Sequence, residues 1–224
     1  MRDAPGGDRA AGPATLLRVP AVWLIRHAPA AGNIGGTFMG RLDGQPDADG
    51  LTQAATLAGT VGADAVLASP LCRAALTAAA IFPCHAIAHD ERLAERHLGA
   101  WQGRVKAQVR EEQPEAFTPA GTLDLRVTPP GGEPFEVLCA RVHAVLAELA
   151  ARPADERIAV VSHNGVLRTA RILLGLLSVE QASVTPERFA QPSRVQVDPT
   201  TVRALAQVYG ADDGRRPPAN AGSA

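Results

Sequence analysis

Three short apolar runs, each stopping on polar residues and each followed by a helix-compatible segment, constrain this chain more than any other feature. Val22, Trp23, Leu24 and Ile25 stop on Arg26 and His27; "DAVLASP", Asp64 to Pro70, hands over to "LCRAALTAAAIF"; Ile158 to Val161 passes through Ser162, His163, Asn164 and Gly165 into "VLRTARILLG". A short run with β-branched and aromatic character, bounded by turn residues, reads as a strand buried on both faces. Strands that alternate with helices specify a parallel sheet covered on both sides. The fold class expected is therefore α/β, a three-layer sandwich with a mostly parallel central sheet.

The rest of the chain fits that frame. "CHAIAHDERL" predicts a third strand and "SRVQVDP" a last one. Helices are predicted over 50–61, 104–115 and 133–151, and over "TTVRALAQVYG"; in the third of these Val137, Leu138, Val142, Val145, Leu146 and Leu149 recur at helical spacing. The stretch from Ala28 to Asp49 is rich in Gly, Pro, Asn and Asp, and is long enough to be a functional loop. A chain of 224 residues suits one domain, placed at 21–210 between a flexible N-terminal arm, 1–20, and a flexible C-terminal tail, 211–224.

Composition excludes several partners. With 22 basic and 23 acidic side chains, the totals advertise neither a nucleic-acid nor an anionic membrane surface. No apolar run is long enough to span a bilayer, and the first twenty residues lack the apolar core of a secretory signal. Cys72, Cys84 and Cys139 are odd in number and lack C-x-x-C spacing, so they read as reduced, and the expected location is the cytoplasm. His85 and His89 have no third partner for a metal, and His97 and His143 receive no role.

The chemistry lies where strands end. In open α/β sheets ligands bind beyond the carboxyl ends of the strands. Arg26 and His27 end the first strand, Ser69 and then Arg73 follow the second, and Ser162 and His163 end the fourth. All offer positive charge or a proton, and the helices that begin there add free N–H groups, a set that suits a phosphoryl dianion. Arginine is apt because its planar fork takes two phosphate oxygens at once. Glu95, on a loop among Leu98, Gly99 and Trp101, is placed as a general acid in a partly dry pocket.

Five segments in order, "LIRHAPAAGN", "VLASPLCRA", "ERLAERHLGAWQG", "PGGEPFEVLCARV" and "VVSHNGVLR", together resemble the histidine phosphatase superfamily, the phosphoglycerate mutase-like family, over about Val22 to Leu177. The resemblance implies the phosphoglycerate mutase-like fold, His27 as nucleophile and Glu95 as the acid. It also implies a phosphate-binding set of Arg26, Asn33, Arg73, His163 and Asn164, with no metal and no cofactor. The family's Gly, acid or amide, and Ser or Thr after the nucleophile are here Ala28, Pro29 and Ala30, which removes a hydroxyl from the phosphate's surroundings. "PDADG", Pro46 to Gly50, is one residue shorter than the family's stretch, a change expected to lie away from the phosphate. "GTFMGRLDGQP" is similar to the loop of α-ribazole phosphatase-like members and implies a small phosphomonoester as partner. The segment from Arg104 to Gly131 is short for a mutase. Mutase-type phosphotransfer and an inactive phosphate-binding scaffold stand as the alternatives.

Overall fold

The computed structural model describes residues 19–211; the arm and tail expected at the two termini lie outside the described residues, apart from the few residues that adjoin them. Among the described residues five strands form one sheet: β1 (Ala21–Arg26), β2 (Ala65–Ala68), β3 (Ile87–His89), β4 (Arg157–Ser162) and β5 (Ser193–Gln196). Their order across the sheet is β3-β2-β4-β1-β5, with only β5 antiparallel.

The helices are α1 (Ala31–Ile34), α2 (Ala48–Ala55), α3 (Cys72–Ile81), α4 (Lys106–Glu112), α5 (Phe135–Ala150), α6 (Asn164–Leu173), α7 (Val179–Val184) and α8 (Pro199–Val208). Successive strand residues point to opposite faces. Val22, Leu24, Ile158 and Val160 therefore meet α5, α6 and α8, while Ile25, Val66, Ala159 and Val161 meet α2 and α3. The result is the three-layer arrangement expected. Alanines at 54, 74 and 78 let α2 and α3 lie close on their face of the sheet.

Differences from the sequence reading have local causes. The helix predicted over 50–61 runs instead over Ala48–Ala55: the Asp47 carboxylate accepts from Gly50 N at 2.6 Å and caps it early, and the Thr and Gly residues after Ala55 end it early. α1 is a single helical turn inside the expected loop. Helix α7 was not predicted, although "SVEQ" carries its signal: Ser178 and Gln181 form a reciprocal capping box. The third strand is shorter than "CHAIAHDERL", because the Asp90 carboxylate accepts from Arg92 N and turns the chain into a short 3-10 helix, Glu91–Leu93.

The sheet order fixes the site. β1, β2 and β4 lie side by side, and their carboxyl ends are in register: Arg26 is opposite Ser162, His27 N donates to Ser162 O at 2.9 Å, and Ser69 N donates to Val161 O at 3.0 Å. A smaller apolar cluster of Phe38, Leu98, Trp101, Val109 and Ala116 supports the loops above those ends.

Candidate active site

A cavity of about 540 Å³ opens over the strand ends, in the size range of small-molecule sites. Arg26, His27, Asn33, Arg73, Glu95 and Asn164 all line it. Residues as far apart in the chain as 26 and 164 thus meet in one place because their strands are neighbours.

His27 is 2% exposed, and its Nδ1 lies 2.6 Å from Ala28 O. A carbonyl can only accept, so Nδ1 carries the proton and Nε2, which makes no hydrogen bond within the described residues, holds the lone pair. Burial, with Arg73 and then Arg26 nearby, lowers the His27 pKa to about 3 against the partial opposition of the Ala28 bond. The imidazole is neutral at ordinary pH, with one nitrogen free to act as base or nucleophile.

His163 stands behind it. The two rings are 5.0 Å apart, and His163 is fully buried, with Nε2 at 2.7 Å from Ser69 Oγ. It is not among the residues lining the cavity, although its Nδ1 is buried without a partner. Burial, then His27 and Arg73, push its pKa well below the usual value.

The arginines are fixed before any ligand binds. Arg73, expected as a residue of the second strand-to-helix turn, is 1% exposed and donates from Nη1 to Leu42 O at 2.8 Å and from Nη2 to Gly40 O at 2.7 Å. Asp43 of the same loop accepts from Cys72 N with both oxygens, at 2.9 and 3.0 Å, and so ties the loop to the start of α3. Arg26 donates to Glu187 O at 2.6 Å and lies 3.6 Å over the Phe189 ring. Burial lowers its pKa to about 10, which leaves it charged. Among the described residues the Nε atoms of both arginines are buried without partners. Cations with unused donors, held in a cavity, are suited to an anion.

Glu95 is held by two backbone donors, Arg96 N to Oε1 at 2.8 Å and Gly165 N to Oε2 at 3.2 Å. A Cβ at Gly165 would stand 2.5 Å from Oε1, so that position requires glycine for the carboxylate to lie against the start of α6. Behind it, Arg96 donates to the carbonyls of Glu133, Leu125 and Val127, and Arg141 forms a buried ion pair with Glu133, Nε to Oε1 at 2.6 Å. The Trp101 expected as a wall for Glu95 does not line the cavity; it is buried beside Phe38, while Leu98 does line it.

The two asparagines differ. Asn33 lines the cavity with its Oδ1 buried and unpartnered. Asn164 uses Oδ1 to accept from Glu187 N at 2.9 Å, so its amide group also anchors the segment that carries Phe189. Two alanines that follow His27, Ala28 and Ala30, are buried, and Ala28 N donates to Thr77 Oγ1 at 2.9 Å. The Pro46–Gly50 stretch does not line the cavity but touches this turn from outside: Ala30 bridges to Pro46, and Asp47 N donates to Pro29 O at 2.9 Å. A Cβ on Gly50 would lie 2.8 Å from Pro29 Cδ.

Sequence reasoning missed three residues. Arg168 lines the cavity, is buried with Nη2 unpartnered, and has its pKa lowered to about 10 by burial; its position one turn after Asn164 on α6 was the available signal. Lys106 lines the cavity, with its ammonium 5.8 Å over the Phe38 ring. Phe189, edge-on to His27 at 5.7 Å, lies in an irregular segment without a periodic signal, and the next residue, Ala190, adopts φ +46. His85 and His89 are exposed, and among the described residues no three of His, Cys, Asp and Glu group to hold a metal ion. No helix among the described residues is long and apolar enough to cross a membrane.

Several proteins that the chain resembles are named as phosphatases. The chain is 34% identical over 159 residues to a metal-independent phosphoserine phosphatase of Arabidopsis thaliana, covering 67% of this chain and 66% of that protein. It is 29% identical to an adenosylcobalamin/alpha-ribazole phosphatase of Salmonella typhimurium, covering 76% and 86%. Among solved structures, a mycobacterial glucosyl-3-phosphoglycerate phosphatase complexed with VO3 superposes with a TM-score of 0.70 at 29% identity, over 78% of this chain and 92% of that one. The sequence profile of the histidine phosphatase superfamily, branch 1, matches residues 22–205, and the chain belongs to that family.

Proposed function

We propose that this chain hydrolyses small phosphomonoesters through a phosphohistidine at His27. The observation that carries the reading is the state of that imidazole: neutral, with Nδ1 tied to Ala28 O and Nε2 without a partner among the described residues, in a cavity lined by fixed arginines. The names of the relatives support the coarse activity, since they are phosphatases of phosphoserine, α-ribazole and glucosyl-3-phosphoglycerate.

In the first step the phosphoryl oxygens accept from Arg26, Arg73, Asn33 and Asn164, while His163, bonded to Ser69 Oγ behind His27, packs against the His27 ring. Nε2 attacks phosphorus, the ester P–O bond breaks, and Glu95 gives its proton to the departing oxygen. The arginines stabilise charge spread over the equatorial oxygens, and because their bonds to Gly40, Leu42 and Glu187 already hold them, little reorganisation is needed. In the second step water attacks the phosphohistidine and passes a proton to the Glu95 carboxylate. The P–N bond breaks, and neutral His27 and inorganic phosphate are regenerated. No group beyond these side chains is required, and we place the enzyme with its small-molecule substrate in the cytoplasm. The loop Gly36–Pro46, which supplies the Arg73 acceptors, supports an α-ribazole phosphate-like monoester as substrate.

The test is a phosphomonoester panel, with and without chelator, combined with mass analysis of acid-labile phosphate on the protein. Turnover insensitive to chelator, with label on His27 and none in His27→Ala, is expected. Transfer to a second substrate hydroxyl instead of water would make it a mutase, and absence of turnover would make it a scaffold. Glu95→Gln should slow alkyl phosphates far more than a nitrophenyl phosphate, whose leaving group needs no proton. Equal losses on both, with no burst of phosphoenzyme, would remove Glu95 from proton transfer.

A further inference from the structure

The cavity is much larger than a phosphoryl group needs, and its outer part is built differently from the strand ends. Phe38, Leu98, Val105, Phe117 and Leu123 give it apolar walls. Phe38 and Phe117 are neighbours, with ring centroids 6.3 Å apart. Two cations, Lys106 and Arg110, lie one turn apart on α4 and both line the same cavity.

Like charges at this spacing repel, so the pair is a cost to the helix unless something else uses it. Arg104, just before α4, pairs with Glu112. Among the described residues Arg110 and Lys106 have no carboxylate within ion-pair distance. The facing loop leaves space for Arg110: Gly121 has φ +75, and a Cβ there would stand 2.8 Å from Arg110 Nη1. Lys106 is held above the Phe38 ring, at the junction of apolar wall and cationic rim. Cations that find no carboxylate among the described residues, one of them resting only on an aromatic ring, suit a ligand with an apolar body and a negative end.

We infer that the preferred leaving group is an apolar body of aryl size that ends in a second anionic group. The body lies against Phe38, Phe117 and Leu123, and the anion is read by Arg110 with Lys106 beside it. The inference rests on the phosphomonoesterase reading and adds to it the substrate's shape and charge; in its second anion it departs from an α-ribazole phosphate-like substrate. A carboxylate and a second phosphate share the required chemistry.

The experiment compares kcat/KM for four esters with similar bodies: 4-methylphenyl phosphate, 4-(carboxymethyl)phenyl phosphate, 1,4-phenylene bisphosphate and 4-(aminomethyl)phenyl phosphate. The wild-type protein should prefer the anionic esters over the methyl ester by about tenfold at low ionic strength, the size of one partly screened charge pair, and the ratio should shrink with added salt. The two anionic arms decide between carboxylate and phosphate. In Arg110→Gln the anionic-to-neutral ratio should fall towards one, and in Arg110→Glu the aminomethyl ester should become the better substrate. Equal kcat/KM for anionic and neutral esters in the wild type, or a ratio unchanged in Arg110→Gln, would overturn the inference while leaving the phosphatase reading standing. No turnover of any ester by the wild-type protein would overturn both.

Discussion

Replacing His27 by Asn should change how stability depends on pH, by an amount that follows from the burial of the imidazole. In the folded protein His27 is neutral, with its pKa lowered to about 3 by burial and by Arg73 and Arg26. In the unfolded chain it titrates near its ordinary value of about 6.5. The folded value is depressed, so the unfolded state binds the proton first, and stability is lost as pH falls from the unfolded pKa towards the folded one. At about pH 5 the proton taken up by the unfolded histidine favours unfolding by about 2 kcal/mol, and at about pH 7.5 by almost nothing. That figure depends only on the unfolded value, provided the folded imidazole remains neutral at pH 5. His163, fully buried with its pKa also lowered, contributes a second loss in the same direction. The wild-type protein should therefore lose about 2 kcal/mol more than His27→Asn between these conditions. The assay is urea unfolding of both proteins at the two pH values, in buffers free of phosphate and sulfate, which would stabilise the folded state by binding. Carboxylates common to both proteins cancel in the double difference. An identical pH dependence of stability in the two proteins would show that His27 is charged in the fold, and the neutral-nucleophile argument would fail with it.

Three other perturbations probe the supports of the site. Arg73→Ala should lower kcat by about 10²–10³, the cost of one preorganised transition-state donor, and a change in KM alone in steady-state kinetics would show equal binding of ground and transition states. Phe189→Leu should weaken vanadate binding and lower kcat/KM by about tenfold, because Arg26 loses a cation–π contact at 3.6 Å; unchanged affinity by calorimetry would show that the Glu187 carbonyl alone holds Arg26. Glu133→Gln should destabilise the protein by about 3–5 kcal/mol in urea titration at neutral pH, because Arg141 is left charged and buried. A loss below about 1 kcal/mol would mean that the bonds from Arg141 to the Arg92 and Ala94 carbonyls suffice.

Much of the molecule was legible in its sequence, for a physical reason. Local patterns record which residues must be buried along one strand or helix, so the apolar run before Arg26, the handover at Ser162 and His163, and the spacing from Val137 to Leu149 identified β1, β4 and α5. The placing of polar residues at strand ends then indicated one crevice, since the topology of parallel sheets allows few others. Family motifs added roles for Asn33 and Asn164 that spacing alone did not provide. What the sequence did not contain was any contact whose partners are far apart and follow no repeat. The bond between Asp43 and the start of α3, the Phe189 ring under Arg26, and the Glu133–Arg141 pair behind Glu95 exist only once the chain has closed. The tautomer of His27 belongs to the same class, because it depends on which carbonyl the backbone turn at Ala28 presents and on how much water the finished cavity excludes.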